Sequence, residues 1–377
     1  MTPAARIAPG VASIPRSDWD VLAGDGDPFL SHDFLDALET SNSVGPCTGW
    51  QATPIVIDRA DGALAAAVPA YIKGHSQGEY VFDQVWAEAW HRAGRHYYPK
   101  LQICVPFTPV PGRRLLFDDA AHAPVLIAAA EALVEQNGLS SAHATFVTPE
   151  QIALFENAGW LIRRDSQFHW YDRGFGDFDG FLAALSSRKR KAIRKERATA
   201  QAAVTIERLT GAAIHPEHWD VMWACYQDTG MRKWGRPYLT RAAFDLIGER
   251  MAESILLLIA SDHASGRPVA AALNFIGADA LYGRYWGALM DIPCLHFELC
   301  YYQAIDFALA RGLARVEAGA QGAHKLARGY EPVATWSAHY IAHDGFRSAV
   351  ADFLSRERHA TQQESDWLAH MTPFKKV

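Results

Sequence analysis

The sequence predicts an α/β (α+β) protein built from one unit of strands and helices used twice. Three observations carry this. The element order repeats between the two halves, the long helix of each half ends at Gly-Leu, and the short helix of each ends at a Gly-aromatic pair. Composition agrees with a packed protein: 377 residues, 49% hydrophobic and 21% charged, enough for two cores.

In the first half, residues 53–72 (TPIVIDRADGALAAAVPAYI) read as a hairpin turning at Asp61-Gly62. A helix over 123–138, a strand over 142–147, a short helix over 148–160 and a strand over 163–172 follow. The second half offers strands within 254–288, a helix over 295–312, a strand over 314–320, the short segment 324–330 and a strand over 333–342. The long helices stop at Gly138-Leu139 and Gly312-Leu313, and the short ones at Gly159-Trp160 and Gly329-Tyr330. A His-aromatic pair stands at the same distance past each of the latter two glycines, His169-Trp170 and His339-Tyr340. The hairpins echo one another through Ala65-Ala66-Ala67 and Ala270-Ala271-Ala272, and through Gly78-Glu79-Tyr80 and Gly283-Arg284-Tyr285. Domains are therefore expected at 1–175 and 201–377, joined by a basic helix over 176–200.

The net charge of −6 argues against a surface made mainly to grip nucleic acid. Five scattered cysteines without a CxxC pair read as reduced residues, and no metal-spaced motif occurs. No apolar run is long enough for a membrane helix, so a cytoplasmic protein is expected.

A strand hairpin, a long helix, a strand, a short helix and a last strand resemble the core of the GNAT acyltransferase fold, and two such units in one chain resemble the FemAB-like N-acyltransferases. The stretches 29–50, 75–116 and 319–332 (GAQGAHKLARGYEP) carry the closest resemblance, to a bacterial family of N-acyltransferases related to FemAB. The resemblance implies transfer of an acyl group from acyl-CoA or a carrier thioester to a small-molecule or peptide amine, in a cleft between the two GNAT-like domains. It equally allows an aminoacyl-tRNA-dependent transferase, with tRNA as partner, or a non-catalytic protein that recognises peptidoglycan fragments. The acetyltransferase pattern Q/R-x-x-G-x-G/A is missing from 287–298 and from the first half.

Within the GNAT order, acid-base candidates gather in the second half: Tyr285 and Trp286 on the splayed strand, His296 and Glu298 at the start of the helix, and Glu317 on the next strand. We expect catalysis from Glu298, His296, Tyr285 and Glu317, with Trp286 at the substrate. The segment SSRKRKAIRKERATA (186–200) has seven cations between Arg188 and Arg197. On a helix Arg190, Arg194 and Arg197 share a face, suited to donor phosphates or a tRNA end, and the same positions also suit a plain linker. Lys325 and Arg328, behind a glycine-rich turn, complete the expected anion contacts. Glu79, Asp83, Trp86, Trp90 and Tyr98 are expected to line an acceptor groove, since flat aromatic rings bind sugars, bases or acyl chains well.

Overall fold

A computed structural model describes residues 4–234, 237–319 and 322–375. In the first half the strands are β1 (Ala5–Ile7), β2 (Trp50–Ala52), β3 (Ile55–Asp58), β4 (Leu64–Val68), β5 (Ala70–Lys73), β6 (Lys100–Ile103), β7 (Leu116–Phe117), β8 (Ser141–Val147) and β9 (Leu161–Tyr171). The helices are α1 (Arg16–Ala23), α2 (His32–Thr40), α3 (Gln84–Arg92), α4 (His122–Gln136) and α5 (Pro149–Asn157). Next come α6 (Phe178–Ala184), α7 (Ser187–Gln201), β10 (Val204–Leu209), α8 (Pro216–Trp234), α9 (Arg241–Met251), β11 (Ile255–Asp262), β12 (Pro268–Ile276) and β13 (Ala280–Ala288). The chain closes with α10 (Leu295–Phe297), a π-helical turn Glu298–Tyr302, α11 (Gln303–Arg311), β14 (Arg315–Glu317), β15 (Glu331–Ile341) and α12 (Asp344–Ala369).

The compact units are not the two contiguous halves. One comprises Met1–Asp165 and Ala334–Gln363, the other Ser166–Val333 and Glu364–Val377. The expected boundaries at 175 and 201 fail because each half gives up its last strand: β15 pairs antiparallel with β8 in the first unit, and the end of β9 pairs antiparallel with β14 in the second. The basic helix α7 is likewise no free connector. It lies in the second unit and buries Ile193 and Ala200.

In the first unit, β15-β8-β6-β5-β2 form one sheet and β1-β3-β4-β7 a second. The hairpin at Asp61-Gly62 joins β3 to β4 as expected, while Pro69 separates β4 from β5 and lets the chain change sheets. Helix α4 covers the core with Leu126, Ile127 and Val134 against Ile55, Ile57, Leu101 and Ile103. In the second unit the order is β10-β11-β12-β13-β14-β9, and α11 buries Ala304, Ile305 and Ala308 with Leu256, Leu258 and Val316. Gly312, with φ of 67°, caps α11 in the left-handed conformation that glycine adopts freely.

The duplication shows in the register. His143 pairs with His339 across β8-β15 and with Gln102 across the parallel β6-β8 pair. Glu317 pairs with His169 across β14-β9 and with Tyr282 across the parallel β13-β14 pair. His169 and His339 thus hold matching places. The echo between residues 78–80 and 283–285 is not structural: the counterpart of β13 is β6, and 78–80 lie in a loop. No described helix is long and apolar enough to cross a membrane.

Candidate active site

Strand β13 in the second unit is regular on one flank and open on the other. It pairs with β12 along its length, except that Leu273 faces Tyr285 and Asn274 faces Gly283, so Arg284 bulges out. Such bulges bend a strand and re-aim its side chains. With β14 it makes only three parallel pairs, ending at Tyr282↔Glu317. Past Tyr282, β13 has no strand on that side among the described residues. Close packing fixes its other face: a Cβ on Gly287 would lie 1.9 Å from the Cys225 carbonyl oxygen of α8.

Beside the part of β13 past Tyr282 stands an aromatic cluster with two imidazoles. The Trp286 and His296 rings lie 5.0 Å apart, and His296 also faces Tyr301 at 5.4 Å and His324 at 6.3 Å. Phe297 packs on Tyr301 and His324, and the Arg328 guanidinium sits 3.5 Å from the centre of the Phe297 ring. The Tyr301 hydroxyl is 3.0 Å from His324 Nε2. Burial, then Arg328 and Lys325, lower the His324 pKa, which keeps the ring neutral at pH 7. Burial raises that of Tyr301, which therefore keeps its proton. The π turn that carries Tyr301 is a helix irregularity common at functional sites. Two polarisable bases, a protonated phenol and flat apolar walls make an arrangement competent for proton transfer beside an extended ligand.

Of the residues expected to act here, His296 and Trp286 take part in this cluster. Glu298 does not. Its carboxylate is fully buried and accepts from Gln201 Nε2 at 2.8 Å, Gln303 Nε2 at 2.7 Å and Arg197 Nη2 at 3.3 Å. It joins α7 to the π turn and has no exposed lone pair with which to take a proton. Tyr285 is a core residue, its ring against Tyr226 at 5.2 Å and Phe244 at 6.1 Å. Glu317 is buried between Arg315 Nε at 2.9 Å and His169 Nε2 at 3.5 Å. Burial, then Arg315 and Lys325, depress His169 to about 3, so this ring is neutral.

The expected anion contacts are largely committed to the protein itself. Arg197 turns inward to Glu298. Arg328 holds Glu196 through Nη2 at 3.0 and 2.9 Å and contacts the Tyr302 hydroxyl at 3.0 Å. Lys325, pushed down to about 8 by burial, donates to the Ala318 and Gly319 carbonyls at 2.6 and 2.8 Å and fastens the glycine-rich turn. Ala320 and Gln321 of that turn lie outside the described residues. Arg194 is exposed beside Asp179 at 3.3 Å, and Arg190 is half-buried.

The residues expected to line an acceptor groove lie in the first unit. Trp86 and Trp90 do not line a groove: they are buried against Ile341, Val350 and Leu354, and Trp90 stacks on Phe346 at 3.7 Å. Glu79 and Asp83 are buried around Lys100, whose Nζ lies 2.6 Å from Glu79 Oε2 and 2.5 Å from Asp83 Oδ2. Burial lowers the Lys100 pKa, but the two carboxylates overcome this and raise it. From Asp83 a chain of contacts runs through the Tyr97 hydroxyl (2.6 Å) to His143 (3.0 Å), then to His339 (2.7 Å) and Ser337 (2.9 Å). Burial holds both histidines well below their usual pKa, hence neutral. Tyr98 is half-buried and bonds Ser76 Oγ at 2.8 Å. Sequence reasoning missed Lys100 and His143 here and Tyr301 and His324 in the second unit. The signal for Lys100 was a lysine beginning a short strand, KLQI, whose four residues are all buried.

The fold has close counterparts of low sequence identity. FemX superposes with a TM-score of 0.55 at 12% identity, over 90% of this chain and 98% of that one. The C-terminal domain of a candidate lysylphosphatidylglycerol synthetase from Agrobacterium fabrum gives 0.56 at 11%, over 90% and 95%. L-PGS from Bacillus licheniformis gives 0.51 at 10%, over 89% and 98%. No curated protein matches by sequence. These likenesses establish a tandem GNAT fold. A profile described as peptidoglycan biosynthesis/recognition matches residues 10–376. The chain therefore belongs to the FemAB-like family.

Proposed function

We propose that the protein is a transferase that moves an acyl or aminoacyl group from an activated ester or thioester to an amine, working at the open flank of β13. The observation that carries this reading is the bulge in β13 just where its pairing with β14 ends, with His296, Tyr301 and His324 beside it. Main-chain N–H groups on the flank where a strand has left its neighbour suit a ligand carbonyl, including the oxyanion that develops as the amine attacks. In this reading His296 takes the proton that the amine loses as its nitrogen bonds to the acyl carbon. Tyr301, held by His324, gives a proton to the sulfur or oxygen that leaves. Trp286 and Phe297 wall the acyl chain and exclude water.

An aminoacyl ester is the second donor reading. It is favoured by the absence of Q/R-x-x-G-x-G/A from 287–298 and by the exposed cations Arg188, Lys191, Arg194 and Lys195 on α7. The names of the lysylphosphatidylglycerol synthetases and of the family, which concern aminoacyl lipids and peptidoglycan, accord with it. Incubating the protein with acyl-CoAs or aminoacyl-tRNAs and amine-bearing muropeptides, with mass spectrometry for the new amide, decides the donor. His296→Asn and His324→Asn should each lower turnover by about 10²–10⁴-fold with the melting temperature retained. Undiminished turnover in both variants overturns the assignment.

A further inference from the structure

Glu196 is the one acid among residues 186–200, and helix spacing gives it no local partner. Three and four positions away stand Ala192, Ile193, Thr199 and Ala200, none of them a cation. Its carboxylate turns into the second unit instead. Both oxygens accept from Arg328 Nη2, at 3.0 and 2.9 Å, and Oε2 also accepts the Tyr302 hydroxyl. Arg328 spends its remaining contacts around the candidate active site. Its Nε donates to the Tyr302 oxygen at 3.0 Å, its Nη1 donates to the His324 carbonyl at 2.8 Å, and its guanidinium lies 3.5 Å from the centre of the Phe297 ring. The pair is shielded, with 8% of the Arg328 side chain and 25% of the Glu196 side chain exposed.

These contacts reach the Tyr301–His324 pair from two sides. Tyr302 follows Tyr301 in the π turn, and His324, whose main chain Arg328 grips, meets the Tyr301 hydroxyl through Nε2 at 3.0 Å. We propose that Glu196 is a positioning residue for the transferase site: through Arg328 it keeps His324 against Tyr301 and Phe297 against the ligand. The planar fork of arginine suits this task, because one side chain serves a carboxylate, a hydroxyl, a carbonyl and a ring at once, which a lysine ammonium cannot do. The inference rests on the reading of Tyr301 and His324 as the pair that delivers a proton to the leaving group. It adds a residue that touches neither the substrate nor the reacting atoms.

The test reads the His324 ring by nitrogen NMR of the full chain labelled in histidine, with the signals assigned through His324→Asn. A ring held by Tyr301 keeps one tautomer, so its two nitrogens differ widely in shift, whereas a loosened ring averages the two. The parent should show one tautomer. Glu196→Gln and Arg328→Lys should each show averaging, and in the amide assay kcat should fall about tenfold or more while KM changes by less than about threefold. A single variant leaves a buried charge without its partner, so the double variant Glu196→Gln/Arg328→Gln, which removes both charges, guards against loss of the fold and should average as well. Asp306→Asn, which removes a carboxylate facing Arg197 and Arg208, should leave the single tautomer intact. One tautomer in the double variant, averaging already in the parent, or averaging in Asp306→Asn overturns the proposal. The NMR measurement needs no substrate. A missing amide with every donor therefore tells against the transferase reading alone, and an unmoved His324 tells against the role of Glu196 alone.

Discussion

Glu298 shows what burial does to a carboxylate at the start of a helix. Three side-chain donors converge on it, two of them from α7 roughly a hundred residues earlier in the chain. Replacing it with Gln leaves an acceptor oxygen but puts an amide beside two other amides and withdraws the charge that Arg197 faces. Glu298→Gln should therefore destabilise the protein by about 1–3 kcal/mol, the cost of leaving buried polar groups mismatched. Chemical denaturation measures this, and an unchanged midpoint contradicts the anchoring role. The sequence marks Glu298 as a helix-start acid and nothing more, since Gln201 and Arg197 come near it only through tertiary packing. His324 was just as hard to single out: its neighbours arrive from α10 and the π turn.

At the scale of elements, local signals proved reliable and partners did not. Helix α4, β8, α5 and β9 follow from apolar periodicity and glycine stops, as do β11 to β15 in the second half. What periodicity lacks is the identity of the neighbouring strand, which is why the echo at 78–80 misled and why Trp86 and Trp90 read as a groove. Both tryptophans are on the buried face of α3, and the helix that buries them, α12, comes some 250 residues later in the chain. Strand β13 allows a test of packing. Gly287→Ala places a methyl group against the Cys225 carbonyl, so α8 must shift, and the loss should exceed the roughly 1–3 kcal/mol of ordinary overpacking. Thermal denaturation of the variant checks this, and a melting temperature within a degree of the parent would mean that α8 yields easily.

For the whole molecule, the interleaving of the two units decides which pieces can fold. A fragment ending at residue 175 contains β8 but lacks β15, and it lacks the part of α12 that covers Trp86 and Trp90. We expect such a fragment to be aggregated or to melt without a cooperative transition, whereas the full chain melts cooperatively. Circular dichroism on heating, with light scattering alongside, tests this, and a sharp transition in the fragment would show that the first half is self-sufficient. The same threading has a consequence in time. His339 follows His143 by 196 residues. At a synthesis rate of roughly 5–20 residues per second, β8 leaves the ribosome on the order of 10–40 s before its neighbour exists. During that interval the nascent chain carries an open strand edge, and whatever shields it in the cell must act before translation ends.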